Sequence, residues 1–429
     1  MDTKKILIAG AGISGLIAAR LLLRAGLNVG IIEARDRTGG RIFSIYRHGV
    51  TVEAGPEFIH GRLGETMSLL EEYHIPYIKT AGKMYYARAG KFTTNTGNAN
   101  HWNDLIDKMK QVKSDIPFNR FLSENFDAEV YRELRESAKR YAAGFDLADV
   151  NTVSTCSLIR EWEQEDSEQY RIPEGYGKLT ERLTAEFLSS GGEIFLNQAI
   201  RHIQWARNSV CITTTASRKF TATKLLIALP AGVLSLEERA GNAVQFAPKI
   251  TAKRKALKEI GFGAVIKIIL YWNTPFWKEF VSDLQFIFSD KEIPTWWTHN
   301  PEDTRVLVGW IGGPPADDLS GLSEQEMLQI ALRNLSSLFG ITVSELNEKL
   351  LDSEIFNWRK DNFTHGAYSF ELAGCRQAKA ILKTSVEQTL YFAGEACYDG
   401  PHGGTVEAAI VSGMETAREI MDHVNNGKS

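Results

Sequence analysis

Three glycines in Gly10-Ala11-Gly12-Ile13-Ser14-Gly15 are followed, 18 residues past Gly15, by an acid, Glu33. The first glycine permits a tight turn, the second lets a phosphate approach the backbone, and the third lets a helix pack close against a strand. A helix that starts at such a turn offers unpaired N–H groups and partial positive charge to an anion. A carboxylate at the end of the next strand can accept from both hydroxyls of a ribose. Glycines at this spacing also serve ordinary strand–helix turns. Here a strand precedes them, a helix follows, and the acid stands at the required distance. The pattern predicts a dinucleotide site built on Gly10, Gly12, Ile13, Ser14, Gly15 and Glu33.

Three further segments carry chemistry. Ala34-Arg35-Asp36-Arg37-Thr38-Gly39-Gly40-Arg41 puts two glycines among arginines, a second anion-facing loop suited to a cofactor lying extended across a domain. Lys267 interrupts the apolar run Gly261 to Trp272. On a strand it shares a face with Val265 and Ile269, where an unpaired ammonium is costly and the neutral amine is favoured. Its plain alternative is a lysine snorkelling from a strand edge. Glu53-Ala54-Gly55-Pro56-Glu57-Phe58-Ile59-His60-Gly61 combines close-approach glycines with titratable Glu57 and His60. By itself, His60 suits a structural histidine equally well.

These groups need a frame. Ile6 to Ala9 reads as a buried strand, Leu16 to Ala25 as a helix ended by Gly26, and Asn28 to Glu33 as a second strand, which makes a βαβ unit. Residues 102–140 are polar and helix-prone. Glu193 to Leu196 reads as a strand, and Val210 to Thr215 followed by Lys219 to Leu229 as a β-meander. Gly261 to Trp310 is strand-rich and aromatic, and Ser323 to Phe339 is helical. Leu390 to Ala393 is a strand before a glycine-rich loop and a helix over about Thr405 to Val424. Lys249 to Lys258 has the spacing of an amphipathic surface helix. Glu161 to Glu168 reads as a solvated acidic face, or as an attractor for a polycation. Trp296, Trp297, Trp310 and Phe276-Trp277 read as core.

Composition narrows the class. The chain has 429 residues, 43% hydrophobic and 24% charged, as in an ordinary globular protein of two or three units. A net charge of −4 argues against a nucleic-acid binder. Four scattered cysteines without a CxxC pair suit reduced thiols, and no spacing suggests a metal. No stretch reaches the roughly 18 apolar residues a membrane span needs, and the first residues do not form a signal peptide. The expectation is a soluble cytoplasmic protein of undetermined oligomeric state.

Glu33 to Arg41 resembles, almost residue for residue, the second FAD motif of the flavin-containing amine oxidases, a group that includes monoamine, polyamine and L-amino-acid oxidases. The resemblance recurs at Leu196-Asn197-Gln198-Ala199-Ile200, at Phe392-Ala393-Gly394-Glu395 and at His402-Gly403-Gly404-Thr405-Val406-Glu407. It implies an α/β fold: a Rossmann-like FAD-binding domain (GR2-type flavoprotein) with an interleaved α+β substrate-binding domain. The FAD domain would comprise 1–79, 192–248 and 386–429, and the substrate domain 80–191 and 249–385 with a helical part. It further implies FAD contacts from Ala34, Arg35, Gly40 and Arg41 and from Gly55, Pro56, Glu57 and Phe58. Ile200, Gly394, Glu395, Gly404, Thr405 and Val406 would complete that set.

Lys267 falls on the family lysine that holds a water against the flavin. Tyr368 matches one of two rings that flank the amine in monoamine oxidases, and Thr405 stands in place of the other. Ala367 occupies the position of the cysteinyl–flavin bond, which implies non-covalent FAD. The implied catalytic set is Lys267, Tyr368 and His60. The implied reaction converts a small amine to an imine, with oxygen reduced to hydrogen peroxide. An L-amino-acid oxidase or a desaturase of the same fold is the alternative. Phe58 stands where many L-amino-acid oxidases carry the arginine that pairs with the substrate carboxylate, which counts against the former. A flavoprotein without turnover and an NAD enzyme are more remote readings.

Overall fold

The computed structural model describes residues 6–88, 90–94, 101–164, 168–237 and 240–426. Ile6–Ala9 is buried at every position, the pattern of a central parallel strand with both faces covered. It pairs in parallel with Val29–Ile32 on one side and Lys224–Ile227 on the other. Glu193–Phe195 and Leu390–Phe392 complete a five-stranded parallel sheet at its two edges. The strands thus come from three distant parts of the chain. Helix Ile13–Arg24 follows the glycine turn and packs on the C-terminal helix Val406–Asn426. The approach is close: a Cβ at Gly413 would lie 2.4 Å from the carbonyl oxygen of Ser14.

The expected β-meander is corrected. Lys219–Ala222 does pair antiparallel with Ser209–Thr214, but Lys224–Ile227 leaves for the parallel sheet. Its four residues are all buried, whereas a meander strand keeps one wet face. Ile200–Ala206 and Gln245–Ala247 finish the smaller sheet of four strands.

A second large sheet has seven strands and carries Lys267. Val265–Trp272 lies between Leu350–Asn357 and Val306–Gly312, antiparallel to both. All eight of its residues are buried, so Lys267 has no wet edge to reach. Ile266, Ile268 and Leu270 pack with Leu332, Leu335 and Leu338 of helix Glu324–Phe339. That helix starts at a Ser323–Glu326 capping box and ends at Gly340 with φ 70°. The opposite face of the strand, with Ile269 and Tyr271, meets Val52, Phe286 and Trp297. Helices Trp102–Lys110, Phe118–Asn125, Arg132–Gly144 and Thr155–Trp162 form a core of their own over the cavity.

Two surface assignments also change. Helix Thr251–Lys258 forms, but Lys253 is buried and its ammonium donates to the carbonyls of Ile381, Leu382 and Thr384, closing the end of helix Arg376–Lys383. Burial lowers the Lys253 pKa to about 8. In the acidic run, Glu161 faces the cavity rather than solvent, and residues 165–167 lie outside the described residues. No described helix is long and apolar enough to cross a membrane.

Candidate active site

One cavity of about 1450 Å³ runs from the glycine turn to the seven-stranded sheet. Ligand pockets commonly span roughly 300–1,000 Å³, so this one is large enough for an extended cofactor and a second small molecule. Its dinucleotide end is built by backbone. Gly10 has φ 102°, and a Cβ there would lie 2.8 Å from the carbonyl oxygen of Ala228. At Gly15 a Cβ would lie 2.1 Å from the carbonyl oxygen of Gly10, so this glycine is packed behind the turn, away from the cavity. Gly12 is the opposite case: a Cβ there meets nothing within 4 Å. The missing side chain leaves cavity, as a pyrophosphate requires. Beside it, Ser14 Oγ is buried without a partner at the start of helix Ile13–Arg24. An orphaned hydroxyl and open backbone at a helix N-terminus fit a dinucleotide phosphate.

Glu33 is buried, and its carboxylate ties the turn together. Oε2 accepts from Ala11 N at 2.7 Å and Oε1 from Arg35 N at 2.9 Å. Each oxygen keeps a lone pair for a ribose hydroxyl. Ala34 and Ile200 line the cavity nearby, next to a register shift between Ile200 and His202 that interrupts the ladder. Arg35 is paired with Asp361 at 2.6 Å, and Arg41 with Glu395 at 2.9 Å. Glu395 Oε2 also accepts from Ser369 Oγ at 2.6 Å. Gly40 and Gly394 line the same wall with φ 60° and 139°. Gly404, Thr405 and Val406 line it where the C-terminal helix begins, with Thr405 Oγ1 accepting from Ala408 N.

At the other end lie Gly55, Pro56, Glu57, Phe58, His60, Lys267 and Tyr368. A Cβ at Gly55 would lie 1.9 Å from the carbonyl oxygen of Arg41, which fixes that loop against the second anion loop. Lys267 Nζ donates to Glu57 Oε2 at 2.8 Å and to the carbonyl oxygen of Gly55 at 3.2 Å, and lies 5.3 Å from the Trp297 ring centroid. The sequence suggested an unpaired amine; the structure supplies a carboxylate. Glu57 Oε1 has two more neighbours, Arg171 Nε at 3.1 Å and His299 Nε2 at 3.4 Å, at ion-pair range without hydrogen-bond alignment. Burial would raise the Glu57 pKa, but Lys267 and Arg171 hold it well below the usual carboxylate range.

Phe58 packs among the rings of His60, Phe286 and Trp297 and brings no charge. His60 Nδ1 has no partner, and burial lowers its pKa to about 4, so the imidazole is neutral. Tyr368 lies over Gly404, where a Cβ would stand 2.6 Å from its ring, and its hydroxyl donates to the carbonyl oxygen of Phe145. Trp297 and Trp310, read as core, line the cavity, while Trp296 is core. Asp146 and Glu161 add acid near Tyr368; burial pushes the Glu161 pKa up to about 6.

Sequence reasoning missed Arg171, His299 and Trp297. Arg171 sits on strand Gln169–Arg171, which pairs with Ile59–His60, yet nothing local marks it as a partner of Glu57. His299 follows strand Thr295–Thr298 and had no motif around it. Among the described residues no cluster of His, Cys, Asp or Glu is placed to hold a metal.

Comparison with known proteins agrees with this geometry. The mouse protein "Lysine-specific histone demethylase 1B" is 26% identical over 97% of this chain but 53% of its own length, so the chain spans about half of that relative. Human "Amine oxidase [flavin-containing] B" is 26% identical over 97% of this chain and 86% of its own. A solved putrescine oxidase superposes with a TM-score of 0.81 at 22% identity, covering 98% of this chain and 99% of the other. That likeness establishes the fold, a Rossmann-like FAD domain interleaved with a substrate-binding domain. The sequence pattern of flavin containing amine oxidoreductases matches residues 13–421, and the chain therefore belongs to that family, with FAD as its cofactor.

Proposed function

We propose that the chain oxidises the C–N bond of a small amine to an imine, which hydrolyses to an aldehyde or ketone plus ammonia or a shorter amine. FAD is held non-covalently, and oxygen is the electron acceptor, leaving as hydrogen peroxide. The observation that carries this reading is the continuity of one cavity from Gly12 and Ser14 to Lys267, Glu57 and Tyr368. FAD, when bound, supplies the two-electron redox step.

The protein's own part is to bind, orient and dry. Ser14 Oγ, the Gly12 backbone and Glu33 hold the dinucleotide end. Ala367 offers no nucleophile for a covalent flavin link, which supports non-covalent binding. Phe58, Trp297, Trp310 and Tyr368 make an apolar wall that disfavours an ammonium group and so favours the unprotonated amine, the form able to give up hydride. His60, neutral and with a free Nδ1, can hydrogen-bond a polar group of the substrate without adding charge. With Phe58 in the wall, the reading favours amines over α-amino acids.

The same reading assigns 1–79, 192–248 and 386–429 to the FAD domain and 80–191 with 249–385 to the substrate domain. It places the protein in the cytoplasm, supported by four free thiols. The test is acid precipitation followed by assay. Yellow flavin should leave with the supernatant, and amine addition to the native protein should release peroxide and carbonyl product in equal amounts. Flavin retained in the pellet, or product without peroxide, would contradict the binding mode or the acceptor respectively.

A further inference from the structure

Around Lys267 the fold buries an unusual number of charges. Lys267 and Glu57 have side chains 1% and 2% exposed, and Arg171, 4% exposed, reaches both Glu57 and Glu302. Arg171 Nη1 lies 2.8 Å from Glu302 Oε2. The group comes from four separate parts of the fold: the loop after Val50–Glu53, strand Gln169–Arg171, strand Val265–Trp272, and the turn after Thr295–Thr298. Two cations, Lys267 and Arg171, face two anions, Glu57 and Glu302. His299 stands beside Glu57 as a neutral ring, since burial and Arg171 lower its pKa to about 4. Glu53 is behind the group, bound to Ser44 Oγ and Tyr176 N rather than to Lys267.

Glu57 is the member that touches both cations. Of the three N–H bonds on the Lys267 ammonium, one is directed to Glu57 Oε2 and one to the carbonyl oxygen of Gly55. The third has no partner among the described residues, and Lys267 lines the cavity. A lysine with four rotatable bonds is thereby held at a single place in the wall. A single uncompensated charge in a dry wall acts strongly on any electron-accepting ring beside it, because little water screens it.

We propose that Glu57 is a positioning and charge-balancing residue, which fixes the Lys267 ammonium toward the cavity and offsets its charge, thereby setting the electron affinity of the bound flavin. This rests on the reading that FAD lies in the cavity beside Lys267. Removing the Glu57 charge makes the wall one unit more positive and favours the reduced, anionic flavin. Removing the Lys267 charge makes it one unit more negative and does the reverse. Removing both restores the original balance.

The test is the reduction potential of the FAD-loaded protein, equilibrated anaerobically against a redox dye, with no amine present. Glu57→Gln should favour reduction about tenfold, a rise of about 30 mV for a two-electron couple. Lys267→Met should shift the equilibrium about tenfold the other way. The double variant should return to within about threefold of wild type. Single variants that leave the potential unchanged, or move it in the same direction, overturn the proposal. A double variant that stays displaced does so too. If Glu57→Gln does not fold, Lys267→Met and the double variant still fix the sign. A merely structural role would not produce opposite shifts that cancel. Because no amine enters the measurement, this pattern in a protein that oxidises no amine would refute the functional reading alone.

Discussion

Lys267 Nζ and Glu57 Oε2 stand 2.8 Å apart inside the protein, although 210 residues separate them in the chain. A buried pair of this kind is a weak source of net stability, yet breaking it is costly, because one charge is left uncompensated. Lys267→Met leaves Glu57 facing Arg171 alone and should destabilise the protein by about 3 kcal/mol in urea unfolding. Combining it with Glu57→Leu should recover part of that loss. A loss below about 1 kcal/mol would place the pair in a far wetter setting than its burial indicates.

The glycines of the turn should separate binding from folding. A side chain at Gly12 enters open cavity, so Gly12→Val should abolish yellow colour while the FAD-free protein unfolds near the wild-type FAD-free temperature. Gly15→Ala puts its methyl 2.1 Å from the carbonyl oxygen of Gly10 and should lower the yield of folded protein instead. Equal effects from both substitutions would contradict the distinction.

Glu53 gives a pH signature in stability. Burial raises its pKa from 4.5 to about 7, opposed by its bonds to Ser44 and Tyr176 and by Lys267. Between those values the native chain keeps a proton that the unfolded chain has released, so this contribution falls as pH rises from 4.5 to about 7 and is then flat. Glu53→Gln removes the titration. Relative to wild type, the variant should gain about 3 kcal/mol between acidic and mildly alkaline pH. A wild-type and variant difference that is constant with pH would rule this out.

His60 gives a signature in rate. Burial lowers its pKa to about 4, so the imidazole is neutral from mildly acidic pH upward. The rise of kcat/KM with pH should then follow deprotonation of the amine. His60→Asn should lower kcat/KM about tenfold, the worth of one hydrogen bond, without moving that rise. A limb that disappears in the variant would make His60 the titrating group.

Much of this was legible because it is local. Gly10, Gly12, Gly15 and Glu33 act within one βαβ unit, so their spacing carries their geometry. Lys267 was conspicuous for lying inside an apolar strand. Its partner is not: resemblance puts Glu57 in a cofactor-facing loop, and only the tertiary fold turns its carboxylate to Lys267. Arg171 and His299 lie in segments with no motif, and their role exists only where four elements converge. The four-residue apolar run Lys224–Ile227 does not state which neighbours it pairs with, and only the fold puts it in the parallel sheet. Lys253 looked solvated because helical spacing shows which face it occupies but not that carbonyls from a second helix's end await it.

The most direct test of the account is anaerobic mixing of the purified protein with amines, followed by the visible flavin absorbance. The panel should include spermine, N-acetylated polyamines, benzylamine, tyramine and L-amino acids. Rapid bleaching by at least one amine, with colour restored when oxygen is admitted, is the expected result. A yellow protein bleached by none of the amines, or bleached only by amino acids despite Phe58, would contradict it.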